Sequence, residues 1–516
     1  MKRNYWNKTP AIHLNCRTIP LFQLETIFDD TPITNIITPE MEKFDLTVIG
    51  SGPGGYISAI RAAQMGMKVA VIERDKPGGV CLNWGCIPSK AILKCAEMYS
   101  HFLDSKRYGI THKGLSFDYS EVIKSSRKAS NSLNRGVEGL FKKNKITLIS
   151  GTGRLTSKHG ISVIGKESQD IESERILLAT GSVPRTLPGL KIDGKIVMTS
   201  DEAIMHPEVP RSVVIIGGGY IGMEFAYVYN SFGSKVTIVE MEKQILPGAD
   251  EEVAKEAKKI FTKQGMTILN ETVYKSLKKT SGSATVTVES TVSGEQSTLK
   301  ADMVLVSVGR KAIANAASTS FAFYGTGDSM GLEDVGVELD ERGFIKTDEN
   351  YMTTCANIYA IGDVIGGPML AHKASEEGVV AVERMNGFNS KVHYDSIPGC
   401  VYCQPEVAMI GLTEKQARDQ GYDVDIGKFP FRAVGKAVAV GETDGFVKMI
   451  FDSKTKELLG SHIIGHGATE MIAEIGVAKT LETTPYEIAT TQRAHPTLSE
   501  AVMEAALDAL GRVRNF

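Results

Sequence analysis

No stretch of the 516 residues holds the run of about 18 apolar side chains that a membrane-crossing helix requires. A charged n-region followed by an apolar h-region is also missing, so nothing reads as a secretory signal. The formal net charge is only −3, which leaves no electrostatic case for nucleic acid or an anionic membrane as partner. Cysteine occurs seven times, too sparsely for a secreted fold held by disulfides. That count suits a reducing compartment, where a disulfide that survives tends to be catalytic. One C-x-x-C, Cys400-Val-Tyr-Cys403, has no second pair to complete a metal site. On a strand its thiols would span ~10 Å and face opposite sides, so it reads as core packing and no metal is expected. Apolar content of 42% and charged content of 23% describe an ordinary globular chain, long enough for two to four domains.

Glycine, by contrast, is abundant at 51 residues, and its placement is patterned. Phe44-Asp-Leu-Thr-Val-Ile reads as a buried strand, followed by G-x-G-x-x-G at Gly50, Gly52 and Gly55 and a helix to about Met65. A second strand, Lys68–Glu73, ends in an acid. This is the βαβ dinucleotide fingerprint in its required context: the glycines let backbone approach a pyrophosphate, the helix N-terminus stabilises its charge, and Glu73 accepts from ribose hydroxyls. The pattern recurs at Ser212–Glu224, with Gly217, Gly219 and Gly222, and the strand Lys235–Val239 runs into Glu240. Gly50 precedes Glu73 by 23 residues, and Gly217 precedes Glu240 by the same interval. An internal repeat of a nucleotide-binding unit implies two nucleotides. Glu240 would repel a 2′-phosphate, and Met241 and Glu242 supply no cation, so NAD is expected over NADP.

Between these units lies Gly78-Gly-Val-Cys-Leu-Asn-Trp-Gly-Cys-Ile-Pro-Ser-Lys90. On a straight helix, five residues rise about 7.5 Å and turn about 140°, which keeps the sulfurs of Cys81 and Cys86 apart. Either the pair is never bridged, or a bent helix forces the sulfurs together, with Gly85 supplying backbone freedom. A helix is expected from this stretch to about Phe102. Near the C-terminus, Ala494-His-Pro-Thr-Leu-Ser-Glu500 sets a carboxylate five residues after a histidine. That spacing lets Glu500 hold His495 in one tautomer, the arrangement of a general base. Strands are expected over Val392–Val401, Val407–Gly411, Asp423–Pro430 and Phe446–Phe451, with helices from Glu414, Ala468 and Pro485.

The Gly78–Lys90 stretch resembles the redox-active segment of the pyridine nucleotide-disulfide oxidoreductases, and its Ser89-Lys90 ending resembles the lipoamide branch of that family. The resemblance runs from about Phe44 to the C-terminus. It implies an α/β fold with two Rossmann-like domains and a C-terminal α+β dimerisation domain. The expected division is 44–184 with 335–388 for FAD, 185–334 for NAD, and 389–516 for the interface. A flavin must stand between thiol and hydride chemistry, and the disulfide stretch trails the first unit, so FAD is assigned there and NAD to the second. The resemblance adds Gly153, the Thr180-Gly181-Ser182 turn, Asp363 after the strand Asn357–Ile361, and Met369-Leu370-Ala371-His372 along FAD. Lys90 would sit near the flavin N5 and pair with Glu224. Tyr220, Ile221 and Gly309, the last in the Gly-Arg end of the expected strand Ala301–Arg310, would border NAD.

In such a family Cys81 is the interchange thiol, Cys86 the thiolate beside the flavin, and His495 reaches the disulfide of the other subunit of a homodimer. The implied activity is reoxidation of dihydrolipoyl groups, with lipoyl domains and the acyltransferase core of a 2-oxo acid dehydrogenase complex, or the glycine cleavage H protein, as partners. A bacterial cytoplasm is the expected location, a mitochondrial matrix the alternative. A glutathione-type reductase is disfavoured by Ser89 and Glu240, and a non-catalytic flavin scaffold by the presence of Cys81, Cys86, His495 and Glu500 together. Two segments depart from the family pattern. Residues 1–43 read as an irregular extension, and Lys311–Met330 as an inserted surface loop.

Overall fold

A computed structural model describes residues 41–314 and 329–515 of the chain. Most of the expected extension and the middle of the expected insertion lie outside the described residues. The first strand, Glu42–Ile49, begins two residues earlier than expected. It pairs in parallel with Val69–Glu73 on one side and Gln169–Leu178 on the other. Thr147–Ser150 extends the sheet beyond Val69–Glu73, and Ile358–Ala360 pairs with the C-terminal half of Gln169–Leu178. Val69-Ala-Val-Ile72 is buried on both faces, which is why it is continuously apolar rather than alternating. Helix Pro53–Gln64 opens with proline at its first turn, where no N–H is missed. Gly50 has φ +99°, and a Cβ on Gly55 would come within 1.9 Å of the Gly50 carbonyl oxygen, so neither position tolerates another residue.

The second sheet repeats this order. Ser212–Ile216 lies between Lys235–Val239 and Met303–Val306, all parallel, with Thr267–Leu269 and Val197–Met198 at the edges. An antiparallel layer of Thr272–Lys279, Ala284–Ser290 and Gln296–Ala301 accompanies it. The third sheet is antiparallel: Gly399–Val401, Glu406–Gly411, Leu458–Gly465, Phe446–Asp452 and Val424–Pro430. Helices Glu414–Asp419, Ala468–Thr480 and Pro485–Thr490 start where the sequence places them. The expected strand Val392–Val401 is corrected to Gly399–Val401, preceded by a 3₁₀ turn at Tyr394–Ser396. Pro398 lacks the N–H a ladder would need there.

The insertion is also corrected at its flanks. Arg310–Ala312 is a strand, antiparallel to Ser182–Pro184 with Lys311 opposite Val183. Ala312, Ile313, Ala314, Met330 and Leu332 are buried in one cluster with Ile72 and Ile176 of the first sheet. The chain therefore returns to the first domain near residue 310, not at 335. One continuous core joins Ile92 and Leu93 of the redox helix, Met223 and Ala226 of the second nucleotide unit, and Val401 and Met409 of the third sheet. Lys448, 1% exposed, also ties the last two regions together: its Nζ lies 2.9 Å from Asp250, 2.9 Å from Glu252 and 2.7 Å from Glu414.

Candidate active site

The stretch expected to be one helix is two. Gly79–Asn83 ends, Trp84 and Gly85 leave helical geometry with Gly85 at φ −144° and ψ −108°, and Cys86–Leu103 begins. The break brings the Cys81 and Cys86 thiols into hydrogen-bond contact, so the bent alternative is the one observed, with both cysteines as free thiols. Their environments differ. The hydrogen bond from Cys81, opposed by burial and helped by the Lys90 ammonium, lowers the Cys86 thiol to about 7. The same hydrogen bond, together with burial, pushes Cys81 far up. One sulfur is thus prepared as a thiolate at the N-terminus of an 18-residue helix, where open N–H groups favour negative charge.

Lys90 stands one turn further along that helix. Its Nζ donates to both oxygens of Glu224, at 2.9 and 3.0 Å, and lies 4.2 Å from the centre of the Tyr402 ring. The Tyr402 N–H donates to Glu224 at 3.3 Å. The expected pair is present, and Tyr402, which sequence spacing does not single out, completes its surroundings.

A cavity of about 470 Å³ runs past these groups. Its walls include Gly50, Gly52, Glu73, Gly153, Thr180, Gly181, Ser182, Asp363 and the segment Met369–His372, all expected to border one nucleotide. Tyr220, Ile221 and Glu224 of the second unit line the same space. Gly55 supports the first turn from beneath. Glu73 accepts from the Ser51 N–H and hydroxyl at 2.9 and 2.6 Å, which fixes its carboxylate across the glycine turn. Glu240 does the same in the second unit, accepting from the Gly218 N–H at 2.6 Å. Gly217 has φ +106°, and a Cβ on Gly222 would meet its carbonyl oxygen at 2.0 Å, repeating the first turn. Helices Pro53–Gln64 and Tyr220–Ser231 start at Gly52 and Gly219 without a side-chain cap, so their first N–H groups stay open to phosphate. Gly309, at φ +102°, leaves open space where a Cβ would stand. The residues fit two dinucleotides, the first cradle being continuous with the dithiol.

Asp363 accepts from the Ser182 hydroxyl, which also accepts from Arg310 Nε at 2.7 Å. Arg310 enters the cavity wall although the sequence marks it only as a strand end. His372 bonds through Nε2 to the Pro398 carbonyl at 2.9 Å. Cys403 is buried as expected, whereas Cys400 lines the cavity, which corrects its reading as core packing alone. His495 Nδ1 lies 2.9 Å from Glu500 Oε1, and the Thr497 N–H holds the other Glu500 oxygen at 2.9 Å. Burial pushes the Glu500 carboxyl up, but these bonds hold it below its ordinary value. This pair does not line the cavity, and the His495 side chain is 78% exposed. Among the described residues no cluster of side chains is arranged to hold a metal.

Two dinucleotide folds opening on one polarised dithiol define a nucleotide-dependent disulfide oxidoreductase. Residues 44–378 match the pyridine nucleotide-disulphide oxidoreductase family and residues 397–506 its dimerisation domain, and the chain belongs to that family. It is 41% identical over 485 residues to a dihydrolipoyl dehydrogenase of Bacillus subtilis, covering 92% of this chain and 99% of the relative. A dihydrolipoyl dehydrogenase of Rhizobium etli is 44% identical over 494 residues, 92% and 99% of the two chains. Among solved structures, the HOCl-induced flavoprotein disulfide reductase RclA from Escherichia coli superposes with a TM-score of 0.78 at 26% identity, covering 90% of this chain and 99% of that one.

Proposed function

We propose that this chain oxidises protein-bound dihydrolipoyl groups and delivers the electrons to NAD, the activity of a dihydrolipoyl dehydrogenase. The observation that carries the reading is the unequal dithiol, Cys81 protonated and Cys86 near neutrality, set against the Lys90–Glu224 pair in a cavity walled by both nucleotide units. The relatives' names support the substrate class. FAD, held along Gly50–Gly55, Glu73, Thr180–Ser182 and Asp363, supplies two-electron transfer between sulfur and the nicotinamide of NAD. NAD binds at Gly217–Gly222, with Glu240 on its ribose.

The chain's own residues do the rest. His495, oriented by Glu500, removes a proton from the dihydrolipoyl thiol, because only the thiolate attacks. That sulfur attacks Cys81 of the oxidised pair. The Cys81–Cys86 bond breaks, and Cys86 leaves as a thiolate stabilised by Lys90. The second dihydrolipoyl thiol then displaces Cys81, closing the lipoyl disulfide and leaving the enzyme with a thiol and a thiolate. Because His495 is exposed and does not line this cavity, we assign it to the cavity of a second copy. The dimerisation-domain match supports a homodimer. Acyltransferase cores of 2-oxo acid dehydrogenase complexes, or the glycine cleavage H protein, are the proposed carriers of the lipoyl group. The bacterial relatives favour a bacterial cytoplasm as the setting. Among the described residues no helix is long and apolar enough to cross a membrane.

The test is anaerobic reduction of the purified protein with dihydrolipoamide and with glutathione, followed by absorbance. The reading expects a long-wavelength thiolate–flavin band with dihydrolipoamide and reduction of NAD but not NADP. Response only to NADPH, with turnover of glutathione disulfide, would replace it with a glutathione-type reductase.

A further inference from the structure

The dithiol depends on a helix that breaks between its two cysteines, and a break leaves backbone groups without helical partners. Local bonds account for part of the loop: the Trp84 N–H donates to Val80 O at 2.8 Å, and the Asn83 side chain donates to Gly79 O at 2.9 Å. Helix Tyr119–Lys143 adds bonds to it from outside. Arg127 Nη1 donates to the Asn83 carbonyl at 2.5 Å, where the first short helix ends between the cysteines. Its guanidinium lies 6.0 Å from the centre of the Trp84 ring, the residue at the break. Asn134 donates to the Pro77 carbonyl at 2.6 Å, just ahead of the cysteines. Arg127 and Asn134 are seven residues apart, about two helical turns, and so project from one face of that helix. Arg127 Nε and Nη2 are buried and donate to no other described side chain or backbone group, so the Asn83 carbonyl is the hydrogen-bond acceptor that positions this cation.

We propose that Arg127 and Asn134 are positioning residues, a two-point clamp that fixes the helix break and thereby holds the Cys81 and Cys86 sulfurs within bonding distance. Lys90 is the leading cation acting on both thiols, whereas the Arg127 hydrogen bond goes to the backbone of the loop between them. Its effect is therefore on the geometry of the pair. A clamped loop has little conformational freedom to lose when the S–S bond forms, so the clamp raises the effective concentration of one thiol at the other. Released, the same loop must be ordered at each closure, and the equilibrium moves toward the dithiol.

The inference rests on the proposed function only in treating Cys81 and Cys86 as a redox couple, and its test does not use dihydrolipoamide. The flavin-loaded protein is equilibrated in buffers of reduced and oxidised dithiothreitol. Two thiol hydrogens pass to the reagent, one S–S bond forms in the protein, and one opens in dithiothreitol. Free thiols are then alkylated and Cys81 and Cys86 scored by mass. Arg127→Ala is expected to shift the equilibrium about tenfold toward the dithiol, a change of about 30 mV for a two-electron couple. Arg127→Lys keeps a cationic donor for the Asn83 carbonyl and is expected to recover most of the shift. Phe141→Leu, a packing loss at the far end of the same helix, is expected to lower thermal stability and leave the equilibrium in place. An unmoved equilibrium in Arg127→Ala, or an equal shift in Phe141→Leu, would overturn the clamp. A wild-type protein that forms the disulfide but ignores dihydrolipoamide would refute the substrate instead.

Discussion

Lys90 and Glu224 come from different nucleotide-binding units and meet at 2.9 Å, 134 residues apart in sequence. The ammonium lowers the Cys86 thiol, and the carboxylate opposes it. Lys90→Met removes the stabilising charge, so the Cys86 pKa is expected to rise from about 7 toward the ordinary thiol value. Glu224→Gln is expected to lower it further. The pH dependence of alkylation of the reduced protein measures both, since a tenfold weaker thiol acid carries about tenfold less thiolate at a pH well below its midpoint.

His495→Ala is expected to cut dihydrolipoamide oxidation by about 10²–10⁴-fold, the usual contribution of a positioned base. Cofactor binding should be unchanged, since His495 lies outside the cavity. Glu500→Gln keeps the shape but not the charge that orients the ring, and a smaller loss is expected. Steady-state rates with NAD in excess separate the two.

The proposed sharing of the site between two copies predicts complementation. Cys86→Ser and His495→Ala subunits should each be inactive alone. Unfolded together and refolded, they should form mixed dimers with one intact site, since a two-fold interface presents the same residues twice. Activity in the mixture above that of either parent is the expected reading; none would place the base elsewhere.

Glu240→Ala frees the Gly218 N–H and removes the charge that would repel a 2′-phosphate. The preference for NAD over NADP is expected to fall by about tenfold or more, seen as a rise in KM for NAD with little change in kcat.

Lys448→Met strands the buried Asp250 beside two further carboxylates, at a cost of about 3 kcal/mol, the lower end for a broken buried pair because Glu252 and Glu414 reach solvent. Burial pushes Asp250 and Glu252 up, but the Lys448 ammonium holds both below the usual range; Glu414 is lowered first by that same bond. Depressed carboxylates contribute stability above their unfolded pKa of about 4 and lose it as pH falls through the folded values. Wild-type melting temperature should therefore drop below about pH 4, and Lys448→Met should flatten that slope.

Much of this is legible in sequence because it is local. The two glycine turns, their strands and their terminal acids sit within a few tens of residues, and period and spacing are enough to place them. The Cys81–Cys86 break is local too, but sequence offers two geometries for C-x4-C, and only tertiary support chooses between them. Arg127, Asn134 and Tyr402 escape for that reason: each acts on a segment distant in sequence through one or two contacts, with no motif of its own. The flanks of the insertion escape as well, because Arg310-Lys-Ala312 is too short to show a strand period alone, whereas pairing with Ser182–Pro184 makes it a strand.

That pairing gives the second nucleotide unit a closed seam. The chain leaves the first domain at Ser182–Pro184 and comes back at Arg310–Ala312, with the outgoing and incoming strands hydrogen-bonded side by side. Everything between them is a cassette whose two ends are already stitched together. The seam is where a foreign nucleotide-binding unit would be grafted to exchange NAD for another electron carrier, since both cuts would fall in one hydrogen-bonded ribbon.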